Sequence, residues 1–319
     1  MPLPCTLWVL ARPDDPGLPS LRDLPPGVAL VVGEDASAFA GQTPADAVLV
    51  CAGGRERLRA TLAVAPGARW VHIRSAGVDG SVYPELAERP LVVTNARGVF
   101  SRSLAEFVLA AVFHFAKDLR RLMRNQDRRV WEAHTPRLVG GQTMGIVGYG
   151  DIGRATAQMA RALGMRVVAL RRSGTADPST DEMFPPSRLH DLMAASDFVV
   201  LATPLTDETR GLVDGKAIAA MKRTAVLVNV GRGPVVQEAA LVAALQAGAI
   251  GGAALDVFET EPLPAASPLW SLDNVLLSPH SADHTPGWLE NAMTCFLANL
   301  RRFLAGEPLE NPVDPRRGY

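Results

Sequence analysis

The chain has 319 residues, 32 Lys and Arg against 33 Asp and Glu, a formal net charge of −1 and a hydrophobic fraction of 48%. This length suggests two domains with ordinary cores, and the balanced charge offers no global field for nucleic acid or a membrane surface. No apolar run approaches the ~20 residues of a membrane helix. The stretch Leu7–Ala11 is too short, and its flank too poor in basic residues, for a signal peptide, and Cys5, Cys51 and Cys295 form neither a CxxC pair nor a disulfide framework, which fits a reducing cytoplasm.

In chain order, the apolar segments Val28–Val32, Ala47–Cys51, Trp70–Ile73 and Leu91–Thr94 read as buried strands. After them Ser103-Leu-Ala-Glu106 has capping-box spacing, and Leu104, Phe107, Val108, Ala111, Val112, Phe115 and Leu119 recur at helical steps, giving a long helical stretch over 101–130. The Arg120–Arg129 cluster within it reads as a solvated helix face. A second series of strands follows at Thr143–Val147, Arg166–Leu170, Phe198–Ala202, Ala225–Val230, Gly252–Val257 and Asn274–Ser278. Helices are predicted over Gln237–Gly248, ended by Gly248, and from about Pro286 to Leu304. Short continuous apolar strands alternating with helices argue for parallel sheets covered on both faces. The final helix follows both blocks and could return to the first.

Gly148-Tyr149-Gly150-Asp151-Ile152-Gly153 follows directly on the strand Thr143–Val147 and opens a helix, with a further strand behind it. That context makes GxGxxG a dinucleotide fingerprint. Its first glycine permits a tight turn, the second lets a pyrophosphate approach the backbone, and the third allows close packing of helix on strand, while the helix N-terminus favours the phosphate charge. About 20 residues on, an NAD site usually carries an acidic residue for the ribose 2′-OH; here Arg171, Arg172 and Ser173 stand there. Two guanidiniums and a hydroxyl suit a 2′-phosphate, so NADP(H) is expected. NAD(H) remains open if these arginines stack on the adenine or face solvent.

Three further residues lie just past predicted strands, where ligands bind in open α/β sheets: Arg232 in Asn229–Gly233, Glu261 in Leu255–Pro262 and His280 in Leu277–His280. Singly they read as a surface charge, a loop acid and a packed histidine; together, behind a dinucleotide fingerprint, they read as a catalytic constellation. His280 and His284 are four residues apart, but the loop between them and the lack of further ligands argue against a metal. His114 reads as structural. His72 could line a pocket, although packing suits it better.

The chain resembles the D-isomer-specific 2-hydroxyacid dehydrogenase family from about residue 70 onward. The resemblance is carried by Ser75-Ala-Gly-Val-Asp79, Asn95-Ala-Arg-Gly98 with Ser101 through Glu106, Gly145 through Gly153, Thr203-Pro204-Leu205-Thr206, Asn229 through Gly233, Leu255 through Pro262, and Ser278-Pro-His280. It implies a doubly wound Rossmann cofactor domain over about 99–284 and a smaller flavodoxin-like α/β substrate domain built from 1–98 and 285–319, with a cleft between them. By the same resemblance His280 would be the acid/base and Glu261 would hold its imidazole and stabilise the protonated form. Arg232, with the backbone amides of Ala76 and Gly77 beside Ser75, would bind the substrate carboxylate. Asp256 would bond the nicotinamide carboxamide, and Thr203, Pro204, Val230, Gly231 and Ala282 would lie along the cofactor. The family implies hydride exchange between a 2-oxo and a D-2-hydroxy acid, with glyoxylate or hydroxypyruvate favoured because its reductases commonly use NADPH, and a homodimer through the 101–130 helices. A 3-phosphoglycerate dehydrogenase is the enzyme alternative, since Arg74, Arg97 and Arg102 lie near pocket motifs and could meet a phosphate. A dinucleotide-sensing corepressor is the alternative from another class. Ser281 and Asp283 make the loop after His280 more polar than is usual in the family, which bears on substrate identity.

Overall fold

The computed structural model describes residues 5–319. The chain opens with β1 (Cys5–Leu10), β2 (Val28–Gly33), β3 (Ala47–Val50), α1 (Arg55–Ala63), β4 (Trp70–Ile73) and β5 (Val92–Asn95). It continues through α2 (Ser101–Ala116), α3 (Leu119–Arg128), β6 (Thr143–Val147), α4 (Asp151–Ala162), β7 (Arg166–Leu170), β8 (Glu182–Phe184), α5 (Leu189–Ala195) and β9 (Phe198–Leu201). Then come α6 (Gly215–Ala219), β10 (Val226–Asn229), α7 (Glu238–Gln246), β11 (Gly252–Leu255), β12 (Val275–Leu277), α8 (Trp288–Ala305) and β13 (Pro312–Val313). The elements fall into two units, one holding the described residues through Phe100 with Thr285–Tyr319, the other Ser101–His284.

The first unit is built on a sheet of order β13-β5-β4-β3-β1-β2. Its five main strands are parallel and β13 returns antiparallel on β5. Numbered along the chain these five run 2-1-3-4-5, the flavodoxin-like order. Strand β1 is buried at every position, as a strand covered on both faces must be. Its alternation sends Leu7 and Val9 to the side where Trp70 meets Met293, Phe296 and Leu300 of α8. Trp8 and Leu10 go to the side where Val48 and Val50 meet Leu58 and Leu62 of α1. The sequence pattern had left β1 unassigned, because an apolar run at the start of a chain has no preceding turn to bound it.

His72 lies in this core rather than at a pocket. It is fully buried, its Nδ1 is 2.8 Å from Thr94 Oγ1, and its ring centroid stands 5.4 Å from that of Phe296. Thr94 Oγ1 also accepts from Trp70 Nε1 at 2.8 Å. Burial depresses the His72 pKa to about 3, so it packs as a neutral ring.

The second unit carries a sheet of order β12-β11-β10-β9-β6-β7-β8, parallel throughout. Numbered from β6 this is 3-2-1-4-5-6-7, the Rossmann winding with one added strand, and its core is almost wholly aliphatic. Helix α2 begins at Ser101. Ser103 therefore lies inside the first turn and the anticipated capping box does not form; Glu106 instead accepts from Arg102 Nε at 2.9 Å. The long helical stretch also breaks, at Asp118, whose φ of +51° is left-handed and which no Gly or Pro announced. The apolar stripe of α2 is spent within the unit, against α4 and β10. The helix after Gln237 runs Glu238–Gln246 and turns at Gly248, φ +60°, while α8 starts two residues later than expected.

Candidate active site

In the second unit the strand order reverses between β6 and β9, the place where such sheets bind ligands. Each fingerprint glycine fits its role there. Gly148 has φ +94°, and a Cβ on it would stand 2.6 Å from Thr203 N, so both the conformation and the contact with the next strand's loop demand glycine. A Cβ on Gly153 would meet Gly148 O at 2.5 Å and Ile146 Cγ2 at 3.1 Å, whereas Gly150 has nothing within 4 Å of the same point. Two glycines bring backbone together and the middle one leaves a gap at the N-terminus of α4, a surface suited to a pyrophosphate. Thr203, Val230 and Gly231 are buried along this edge, Pro204 is exposed, and a Cβ on Gly231 would stand 2.8 Å from Thr203 O.

Beyond β7, Arg171 is half-buried. Its Nη2 donates to Thr175 O at 2.5 Å, and its guanidinium lies 5.8 Å from the Tyr149 ring centroid. Arg172 is exposed and pairs with Glu208 at 2.5 Å. Ser173 is exposed, with Oγ 3.4 Å from Thr175 N. The Tyr149 side chain turns into this loop, donating to Asp177 Oδ1 at 3.0 Å; burial first, then Asp177, push its pKa up to about 12. Asp177 also pairs with Arg154 at 3.3 Å and accepts from Ser179 N at 2.9 Å. Nothing in the sequence singled out Asp177, an ordinary loop acid until the fold sets it under Tyr149.

The loops after β11 and β12 bring Glu261 and His280 together. His280 Nδ1 lies 2.7 Å from Glu261 Oε2, and Glu261 Oε1 accepts from Phe258 N at 2.9 Å. A carboxylate only accepts, so Nδ1 carries the proton and Nε2 is left for a substrate. His280 has φ +52°, left-handed backbone that costs a non-glycine residue about 1–2 kcal/mol. Asp256 holds the loop in that shape. It is 1% exposed, and its Oδ1 accepts from Ser278 Oγ at 2.6 Å, Ser281 N at 2.9 Å and Ala282 N at 3.1 Å. Burial raises the Asp256 pKa against these donors. So Asp256 braces the chain on both sides of His280, a role the sequence did not disclose.

Arg232 is half-buried at the end of β10, with Nη1 donating to Gly231 O at 2.7 Å. Asn229 fixes its turn, donating from Nδ2 to Arg232 O at 3.1 Å and accepting from Gly231 N at 3.1 Å. A Cβ on Gly233 would fall 1.8 Å from Phe258 O, so backbone contact locks the Arg232 turn to the segment that leads to Glu261.

Residues 109–282 match the NAD binding domain of the D-isomer specific 2-hydroxyacid dehydrogenases. The chain belongs to this family. It is 37% identical over 259 residues to the glyoxylate reductase of Korarchaeum cryptofilum (strain OPF8), covering 78% of this chain and 77% of that protein. To glyoxylate/hydroxypyruvate reductase B of Citrobacter koseri it is 37% identical over 249 residues, 76% of each chain. Among solved structures, a D-isomer specific 2-hydroxyacid dehydrogenase from Xanthobacter autotrophicus Py2, in complex with NADPH and MES, superposes with a TM-score of 0.85 at 35% identity over 99% of both chains.

The first unit carries a further motif loop, Ser75-Ala-Gly-Val-Asp79, after β4. The carbonyls of its 75–77 segment are engaged: Ser75 O accepts from Ala96 N at 3.2 Å, Ala76 O from Asn95 Nδ2 at 2.6 Å and Gly77 O from Ser75 Oγ at 2.7 Å. The amides of Ala76 and Gly77 have no acceptor among the described residues. A loop with bound carbonyls and open N–H groups presents a positive face to an anion. Arg74, which the sequence offered to a substrate phosphate, is turned away into an internal ion pair with Asp15, and Arg102 pairs with Glu106.

Proposed function

We propose that the protein reduces a small 2-oxo acid, glyoxylate to glycolate or hydroxypyruvate to D-glycerate, with NADPH in preference to NADH. The observation that carries this is the 2.7 Å bond between His280 Nδ1 and Glu261 Oε2, at the carboxyl end of a sheet whose glycine loop suits a dinucleotide. When bound, the coenzyme supplies the hydride to the carbonyl carbon. His280 Nε2 gives its proton to the carbonyl oxygen, and Glu261 holds Nδ1–H and balances the charge on the ring before the proton leaves. Arg232 takes the substrate carboxylate with a planar guanidinium, and the open Ala76 and Gly77 amides of the first unit likewise suit a carboxylate. Ser75 holds the cradle through its bond to Gly77 O. Gly148 through Gly153 take the pyrophosphate. Arg171, Arg172 and Ser173 take the 2′-phosphate, for which Arg172 exchanges Glu208. Thr203, Pro204, Val230 and Gly231 line the nicotinamide end, with Asp256 and Ala282 bracing the loop there. Support for NADPH comes from the two guanidiniums where an acidic residue would otherwise stand, and from the NADPH bound by the Xanthobacter relative.

The first unit is the substrate-binding part and the second the dinucleotide-binding part in this reading. The protein works as a cytoplasmic homodimer. Supporting this are three free cysteines, the lack of any described helix long and apolar enough to cross a membrane, and several uncovered large apolar side chains in the second unit: Leu122, Met123, Val130, Trp131 and Leu138 are 42–102% exposed. Steady-state reduction of glyoxylate, hydroxypyruvate and pyruvate, each with NADPH and with NADH and followed by coenzyme absorbance, tests the reaction. Strong NADPH-dependent turnover of one acid is expected; no turnover on the whole set, or equal efficiency with NADH, would overturn the corresponding half of the proposal. A solution mass of 33.9 kDa, that of one chain, would overturn the dimer.

A further inference from the structure

The first unit also has a point where strand order reverses, between β1 and β3. The crevice beyond the carboxyl ends of those strands is the general ligand position for such a sheet. Here the chain fills it with its own charges. Arg74 is the residue after β4; its N–H donates to Val50 O at 3.0 Å, carrying the pairing with β3 one residue further. Its guanidinium then bridges the crevice, Nη1 to Asp15 Oδ1 at 2.5 Å, and Nη2 to Asp15 Oδ2 at 3.1 Å and Cys51 O at 2.9 Å. Asp15 Oδ1 accepts in addition from Gly17 N at 2.8 Å. The side chains of Arg74 and Asp15 are only 13% and 6% exposed, and a Cβ on Gly17 would stand 2.6 Å from Arg74 Nη1. Burial opposes ionisation of Asp15, yet Arg74 and the Gly17 amide outweigh it and hold its pKa below the usual carboxylate value. One guanidinium thus ties the loops after β1, β3 and β4 into one block, and the next residues along the chain are Ser75, Ala76 and Gly77.

We propose that the Arg74–Asp15 pair is the positioning element of the carboxylate cradle: it fixes the start of the 75–77 loop so that the Ala76 and Gly77 amides are already aimed when an anionic substrate arrives. This rests on the reading of those amides as carboxylate donors. Asn95 and Ser75 bind the carbonyls of the loop, but among the described residues only Arg74 anchors its entry to the two neighbouring loops. A planar five-donor guanidinium is required for that, because a lysine ammonium cannot span a bidentate carboxylate and a carbonyl in one plane. The cradle holds a group that does not change during hydride transfer, so loosening it weakens substrate and transition state alike, raising KM and leaving kcat in place.

The test uses the full chain with NADPH and glyoxylate, in the variants Arg74→Lys, Asp15→Asn, their double, and Gly17→Ala, which crowds the guanidinium without removing a charge. Each single variant is expected to raise KM for glyoxylate at least tenfold, with kcat within twofold and the NADPH dissociation constant unchanged. The double variant should be no worse than its more damaged parent, since both substitutions break one clamp. A lowered melting temperature with KM within twofold of wild type in variants that bind NADPH normally would overturn the inference and leave the pair a purely structural brace. Failure of the wild type to reduce any 2-oxo acid would instead overturn the underlying functional reading, and this inference with it.

Discussion

Between β6 and β9 the chain lines its crevice with glycines, so that backbone approaches backbone and leaves an open edge at a helix N-terminus. Between β1 and β3 it closes the equivalent crevice with Arg74 and Asp15. Both sheets obey one rule of winding, and both generate a gap where the winding reverses. What becomes of the gap is decided by a handful of loop residues, which is why a fold alone does not assign a function. In the second unit the gap suits a dinucleotide; in the first the loop proposed to take a carboxylate lies one strand away, at the end of β4, anchored by the ion pair that occupies the gap.

His280→Ala removes the proposed proton donor of the second unit and is expected to lower kcat/KM by about 10²–10⁴-fold with unchanged NADPH affinity, measured by steady-state kinetics and coenzyme fluorescence. Gly233→Ala places a Cβ 1.8 Å from Phe258 O and must part the Arg232 turn from the Glu261 segment. A displacement near 1 Å at reacting groups costs about 10²-fold, and kinetics on the folded variant would read it; a rate within threefold of wild type would show that the contact is not what aligns them.

The first unit carries an acid-sensitive group. His72 is held neutral with a pKa of about 3, below the value of about 6.5 that it regains on unfolding. The unfolded chain therefore binds the extra proton as pH falls from about 6.5 towards about 3, and stability is lost across that window. Between pH 7 and pH 5 the wild type should lose about 2 kcal/mol more than His72→Phe, compared by urea unfolding; parallel losses would contradict the neutral buried ring. The smallest effect is expected at the adenosine end. Arg171→Ala should raise KM for NADPH about tenfold, the scale of one charge-assisted bond, and leave NADH nearly untouched, as read from the two coenzyme titrations.

The sequence was most legible where chemistry demands a particular backbone. The glycine loop, and the strand limits at Trp70–Ile73, Thr143–Val147 and Arg166–Leu170, appear in the structure as read, because an apolar run bounded by turn residues leaves little freedom. It was least legible where partners come from distant segments. Asp15 meets Arg74 across 59 positions and stands in no local pattern; Asp256 stands in the Leu255–Pro262 motif, but its bond to Ser281 spans 25 positions and no local signal shows it. Strand β8, the two-residue β13 and the break at Asp118 also escaped notice. The first two are too short to show a period, and the last needs a left-handed aspartate that no neighbouring residue signals.

The most direct test of the central claim follows the hydride itself, incubating the protein with hydroxypyruvate and NADPH deuterated at the transferring C4 position and analysing the glycerate formed. Deuterium at C2 of the D-enantiomer, formed by the wild type and almost absent with His280→Ala at equal coenzyme occupancy, is the expected result. Glycerate without deuterium, the L-enantiomer, or undiminished transfer by His280→Ala would contradict it.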